Sequence, residues 1–210
     1  MLHLGNFRLI DWVIEYARVN FPSNDIFIAT SQHPNNNNLC DYLSDKDLRI
    51  FRGDETDVFS RFFNIIKNFD LDDIAIRFTG DNPLKYNKII TMMKNEMLTK
   101  DIDYMCLEGL SKLAVEFIRV KLFYKISRSR LFSANDKEHV TWSIRNDYEC
   151  KKKILKQSSL KMVSQLDKLL TIDTKDDFVF LSTIIENLNL KPGDELNINQ
   201  LYDCIRSHRN

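Results

Sequence analysis

Asp72 to Leu84 reads DDIAIRFTGDNPL, and the fold turns on how this stretch divides. Ile74, Ala75, Ile76 and Phe78 form the short apolar run that a strand inside a sheet requires. The run stops at Thr79-Gly80-Asp81-Asn82-Pro83. Glycine permits a close backbone approach or a positive φ, and proline lacks the N–H that a ladder needs. This division predicts a central strand with Asp81 at its carboxyl end, where ligands collect in open α/β sheets. Aspartate is also a favoured turn residue, so capping of the turn is the competing reading of Asp81.

Working outward towards the start, Met1 to Asn6 reads as a loop, and Ile10, Val13, Ile14 and Ala17 repeat at helical spacing. Asp25 to Ser31 (DIFIATS) is a compact strand. Asn35 to Asn38 reads as an exposed polar loop, followed by a short helix around Leu39 to Leu43 and a strand at Leu48 to Phe51. Arg52-Gly53-Asp54-Glu55 breaks that strand. Thr56 then stands as N-cap to a helix with Val58, Phe62, Ile65 and Phe69 as its apolar stripe.

Towards the end, Ile89, Ile90, Met93 and Met97 mark one side of a helix, with strands expected at Ile102 to Leu107 and Ala114 to Val120. Ser127 to Glu138 is polar and reads as surface. Glu138-His139-Val140-Thr141 enters a helix through Ile144, and Cys150 to Gln157 reads as an edge strand bearing lysines. Leu169 to Asp173 repeats the design of an apolar strand closed by aspartate. Thr174 and Asp177 resemble a capping box for a helix whose stripe is Phe178, Leu181, Ile185 and Leu188. A turn at Lys191-Pro192-Gly193 leads to a last short helix with Leu201 and Ile205. Strands and helices alternate, with strands too far apart for hairpins. The pattern is that of an α/β domain with a mostly parallel sheet and helices on both faces. Residues 1–210 read as one domain, with a short helical extension at about 191–210.

The totals bound the chemistry. Thirty Lys plus Arg balance 30 Asp plus Glu in 210 residues, so there is no global basic field to attract nucleic acid. Cys40, Cys106, Cys150 and Cys204 are widely spaced and fit free thiols in a reducing cytoplasm. No apolar run approaches the ~20 residues that span a bilayer, and the N-terminus does not read as a signal peptide. The expectation is a soluble, cytoplasmic protein.

Two carboxylates, Asp81 and Asp173, each close an expected strand. In neighbouring central strands they would share one crevice, and hard oxygen ligands of this kind suit Mg²⁺ together with substrate phosphates; helix capping is the alternative for both. Arg52 and Arg77 flank strand ends and are candidates for bidentate phosphate or carboxylate binding, or ordinary surface residues. Glu116, inside an apolar strand, needs a partner if buried. His139 is a candidate base or substrate ligand, or a structural histidine near a helix start.

FRGDETDVFSRF (Phe51 to Phe62), RFTGDNPL (Arg77 to Leu84), VEF (Val115 to Phe117), EHVT (Glu138 to Thr141) and TIDTKDDF (Thr171 to Phe178) carry a resemblance in order and spacing. From about Leu4 to Asn187 the chain resembles the cytidylyltransferase-like proteins of the spore-coat polysaccharide type. These are relatives of the acylneuraminate and 3-deoxy-manno-octulosonate cytidylyltransferases. The resemblance implies a Rossmann-like nucleotidyltransferase fold, commonly dimeric, and an enzyme that couples a sugar acid to CTP to give a CMP-sugar and pyrophosphate. It implies Asp81 and Asp173 as Mg²⁺ ligands, with Gly80 beside them. The Arg52-Gly53 loop would lie next to the nucleotide, and Arg77, Glu116 and His139 towards the sugar. One departure is large: the family's opening strand and its Gly-rich, basic phosphate-binding loop have no counterpart in these 210 residues, as if the fold were truncated at its N-terminus. Two alternatives therefore stand beside the enzyme. One is a non-catalytic member that binds a sugar or a partner. The other is a nucleotide-sugar glycosyltransferase, for which Asp101-Ile102-Asp103 is the nearby D-x-D pair, although it begins a strand instead of ending one.

Overall fold

The computed structural model describes residues 1–146, 148–156, 164 and 166–208. The first six residues are not loop alone: β1 (His3–Leu4) and β2 (Phe7–Arg8) form a small antiparallel hairpin turned at Gly5, whose φ of 62° suits glycine. The hairpin feeds α1 (Leu9–Asn20), where the Trp12 indole donates to the Leu4 carbonyl at 3.0 Å. There follow β3 (Phe27–Ser31), α2 (Asn37–Ser44), β4 (Arg49–Gly53) and α3 (Val58–Ile66). The middle of the chain supplies β5 (Ile74–Arg77), α4 (Asn87–Thr99), β6 (Tyr104–Leu107), β7 (Glu116–Arg119) and α5 (Val120–Ser127). The last part holds α6 (Ala134–His139), α7 (Trp142–Asn146), β8 (Lys152–Leu155), α8 (Lys175–Asn187) and α9 (Ile198–Ser207).

The strands form a mixed arrangement. β3 and β4 pair in parallel, while β5-β7-β6-β8 form a second sheet in that order. Within it β6 and β8 are parallel, and β7 runs antiparallel to both neighbours. Alternation of side chains across the strands divides the core in two. Met105, Leu107 and Phe117 point to one face, where Trp12 and Tyr16 of α1, Ile90 and Met93 of α4, Leu181 of α8 and Leu201 of α9 cover them. Tyr104 and Ile118 point to the other face, against Phe59 and Ile66 of α3, Leu122 and Phe123 of α5 and Ile144 of α7. Each such side chain taken fully from water contributes roughly 1.5–3 kcal/mol before conformational entropy is set against it. Helices therefore lie on both faces, as the alternation predicts, but the four-stranded sheet is mixed and not mostly parallel, with two of its three pairings antiparallel.

Several local expectations change. β5 is an outer strand of its sheet, not a central one, and Ile74 to Phe78 are only half-buried where Phe117 and Ile118 are buried. The antiparallel β7 was not foreseen from strand spacing. Leu169 to Asp173 is not a strand: a 3₁₀ turn (Asp167–Leu169) precedes an irregular segment, because Leu170 and Thr171 enter the core without a neighbouring ladder. Helix α3 is capped by Asp57, which accepts from the Ser60 N–H at 2.8 Å, since Thr56 is engaged by Asp54. The side chains α3 buries are accordingly Phe59 and Ile66, and Phe69 beyond it is exposed.

Ser127 to Glu138 is not all surface. Asp136 is fully buried, accepting from Ser133 and from both the N–H and hydroxyl of Ser143. Val140, with φ 64°, divides the expected helix into α6 and α7. The edge strand bearing lysines is present as β8; Gln157, at the end of that expected segment, lies outside the described residues. None of the four cysteines is in a disulfide.

Candidate active site

Two loops meet beyond the carboxyl end of β5. The chain leaves the strand through Thr79 and Gly80, and the Ile172 N–H donates to the Asp81 carbonyl at 2.9 Å. That bond brings Asp173, one residue on, to the corner occupied by Asp81, although no second strand delivers it. Asp173 is exposed, and its own N–H joins the capping box of α8 by donating to Asp177 Oδ2 at 3.2 Å. The Asp177 carboxyl is held below its ordinary range by these hydrogen bonds, those of Thr174 first.

The corner carries oxygen atoms without partners. Asp81 Oδ1, Asn82 Oδ1 and Thr171 Oγ1 are buried and accept or donate no hydrogen bond among the described residues. An unsatisfied buried polar atom costs roughly 1–3 kcal/mol, so three in adjoining segments are a concentrated expense that a ligand can relieve. Gly80 does not have a positive φ, and a Cβ there would meet nothing within 4 Å. Its backbone is thus under no internal constraint, and open space lies beside Asp81. Two carboxylates with amide and hydroxyl oxygens are a donor set suited to a hard divalent cation. No group of three or more His, Cys, Asp or Glu able to hold a metal occurs among the described residues, so protein carboxylates alone would not complete a shell.

Lys85 adjoins this corner and was not singled out by its sequence context. It is 1% exposed, and its Nζ donates to the Lys112 carbonyl at 2.7 Å. Burial pushes its amine down to about 7, with the charge of Asp81 opposing the shift. The acceptor loop is pinned in turn by Asp167, which accepts from the Lys112 N–H at 2.9 Å and the Ser111 hydroxyl at 3.0 Å. Nothing local separates Lys85 from a surface lysine; its burial comes from the way Pro83 and Leu84 turn the chain inward.

A second polar cluster starts on β5 itself. Arg77 is in register with Glu116 of β7, and its Nη1 lies 2.9 Å from Glu116 Oε2. Glu116 Oε1 accepts from the Tyr104 hydroxyl and from Thr141 Oγ1, the latter at 2.9 Å. Arg145 of α7 approaches the same oxygen, with Nε at 3.8 Å. Burial first, then the charge of Glu116, raises the Tyr104 phenol far above its ordinary range, and burial raises the Cys106 thiol nearby. His139 ends α6 with its ring exposed, 5.9 Å from that of Trp142.

The two clusters follow one another along the chain: Arg77 is the last residue of β5, and Asp81 lies in the loop that leaves it. Arg52 and Gly53 lie elsewhere, at the end of β4. The Arg52 guanidinium donates to the carbonyls of Ser31, Gln32 and His33 at 3.1–3.3 Å and so fastens the loop after β3. A Cβ on Gly53 would come within 2.9 Å of both Phe51 and Arg61 side chains. Asp101 and Asp103 are committed to ion pairs with Lys151 and Lys121 at the amino end of β6. A depression of about 630 Å³, lined by Asp103, Asn146 and residues 148–152, opens at that same end, away from Asp81.

With this geometry in view, three comparisons bear on the chain. A family model described as "Cytidylyltransferase" matches residues 1–199. MJ1063, an uncharacterised protein of Methanocaldococcus jannaschii, is 28% identical over 98% of this chain and 82% of its own length. The spore coat polysaccharide biosynthesis protein SpsF of Bacillus subtilis is 27% identical over 90% of this chain and 80% of its own. Among solved structures, a cytidylyltransferase from Leptospira borgpetersenii superposes with a TM-score of 0.78 at 20% identity, covering 99% of this chain and 87% of that one. The 4-diphosphocytidyl-2C-methyl-D-erythritol synthase of Anaerococcus prevotii gives 0.57 at 11% identity, covering 88% of each chain. These two likenesses establish the fold.

Proposed function

The chain belongs to the cytidylyltransferase family, and from that premise we propose that it couples a sugar acid to CTP, giving a CMP-sugar and pyrophosphate for surface polysaccharide synthesis. Family membership supports cytidylyl transfer from CTP, and the likeness to SpsF supports the polysaccharide setting. In the reaction an acceptor hydroxyl oxygen bonds to the α-phosphorus, the bond from that phosphorus to the bridging oxygen breaks, and pyrophosphate departs as the hydroxyl proton is lost.

The observation that carries the site assignment is the Ile172-to-Asp81 backbone bond, which joins the segments of Asp81 and Asp173 where three buried oxygens have no partner among the described residues. Asp81 and Asp173 are the residues that would hold Mg²⁺, which when bound supplies charge neutralisation for the departing pyrophosphate. The protein's own part is to fix the Asp81 loop. The hydrogen bond from Ile172 restrains it on one side, and Lys85, anchored on the Lys112 carbonyl, restrains it on the other. Arg77 is held by Glu116 at the approach to that corner and offers positive charge on the acceptor side.

Pyrophosphate release from CTP in the presence of N-acetylneuraminate or 3-deoxy-manno-octulosonate tests the reading. Asp81→Ala is expected to lose roughly 10²–10³-fold in rate, the scale of removing a principal electrostatic contact, while circular dichroism stays that of the parent. A folded Asp81→Ala protein with parental turnover would sink the assignment.

A further inference from the structure

The mechanism leaves one cation of the Glu116 cluster without employment. Glu116 has spent both carboxylate oxygens: Oε2 pairs with Arg77, and Oε1 accepts from Tyr104 and Thr141. Arg145 stands outside this shell. Its Nε is 3.8 Å from Oε1, beyond hydrogen-bond distance, and its side chain is 40% exposed. The two terminal guanidinium nitrogens have no hydrogen-bond partner among the described residues.

Backbone contacts fix where Arg145 sits. Its N–H donates to the Thr141 carbonyl at 2.9 Å, so the residue whose hydroxyl binds Glu116 also starts the turn that carries Arg145. The Arg145 carbonyl accepts from Lys152 Nζ at 2.9 Å, which ties the end of α7 to β8. Arg77 and Arg145 thus face one carboxylate, Glu116, and the charge of the cluster is positive. Trp142, three residues before Arg145 on α7 and so at a neighbouring position of the helix surface, is 38% exposed. A guanidinium of this kind matches a carboxylate with two parallel N–H donors, which an ammonium cannot imitate.

We propose that Arg145 is a specificity-determining residue that takes the carboxylate of the acceptor sugar acid, with Trp142 against the sugar ring. This rests on the cytidylyltransferase reading above and goes beyond it: the acid group would be read on the α7 side of Glu116, and the reacting hydroxyl directed towards Asp81.

Tryptophan fluorescence gives a direct test, because Trp142 is exposed and Trp12, the other indole, is wholly buried. The protein is titrated with N-acetylneuraminate, with 3-deoxy-manno-octulosonate and with the methyl ester of the former. Parent protein is expected to respond to at least one acid and to bind the ester at least tenfold more weakly. Arg145→Gln should weaken acid binding 10- to 100-fold and leave the ester unchanged, Arg145→Lys should recover part of the loss, and Trp142→Phe should remove the signal. In turnover, Arg145→Gln should raise the KM for the acid with kcat and the KM for CTP near parental values. Equal acid affinity in parent and Arg145→Gln overturns the proposal, and so does absence of any acid response in the parent. Pyrophosphate release with an unchanged acid KM in Arg145→Gln would overturn it while leaving the cytidylyltransferase reading standing; loss of all CTP turnover in the parent would instead strike that reading.

Discussion

The Asp81 corner and the Glu116 cluster both lie at the carboxyl end of β5, yet they treat their carboxylates in opposite ways. Glu116 has a partner for each oxygen, drawn from two strands and the turn before α7. Asp81 keeps a buried oxygen with no partner among the described residues, as do Asn82 and Thr171. The first arrangement is what a folded chain builds to hold itself in one geometry. The second is what it tolerates where something else is to bind. Under the proposed function, the difference divides residues that would position the site from residues that would meet the ligand.

The contrast can be broken by mutation. Glu116→Ala should be the costliest change, destabilising by about 3–4 kcal/mol, because it leaves the largely buried Arg77 guanidinium and the Tyr104 hydroxyl unpaired. Urea denaturation would read this, and a loss below about 1 kcal/mol would mean that the cluster relaxes freely.

Lys85→Met should have the opposite sign, gaining roughly 2 kcal/mol near neutral pH by removing a desolvated amine. The pH dependence identifies the cause. With the folded amine at about 7 and an unfolded one near ~10.4, the unfolded chain binds more protons between those values. Parental stability should therefore rise from about pH 7 towards pH 10 relative to Lys85→Met, and the gap should be widest below 7. Parallel denaturation midpoints across that range would refute the account.

Asp81→Asn should change stability least, by less than about 1 kcal/mol, since no internal hydrogen bond to the carboxylate is lost. It should nevertheless lose pyrophosphate release. A large destabilisation would place Asp81 among the residues that hold the fold together.

Much of this was legible before any coordinates. The β5 run with its Gly-Asp-Asn-Pro stop, the apolar face of α4, the edge position of β8 and the Thr174–Asp177 capping box follow from local rules of periodicity, turn chemistry and capping. The segment before Asp173 meets the Asp81 loop through the Ile172 backbone bond and not as a strand. Leu169 to Ile172 has a strand's apolar content, but strand status needs a neighbour, and pairing is not a local property. The same limit hid the outer position of β5. Arg145 and Lys85 were missed because exposure and burial of a cation are decided by what packs around it, and one arginine in a short helix looks like any other. Asp136 shows the converse: a polar segment that reads as surface places a carboxylate in the core because Ser133 and Ser143 are there to receive it.

The division of the strands into two sheets has a consequence for exchange with solvent deuterium. β7 lies between β5 and β6, and β6 between β7 and β8, so their amides are held in ladders on both sides. Among the described residues, β3 and β5 each have a ladder on one side only. Amides on the unpaired sides can exchange through local fluctuations, whereas those of β6 and β7 must wait for much wider opening. The protein thus has a slow-exchanging centre at β6–β7, and β5, the strand that leads to Asp81, lies on its fast-exchanging margin.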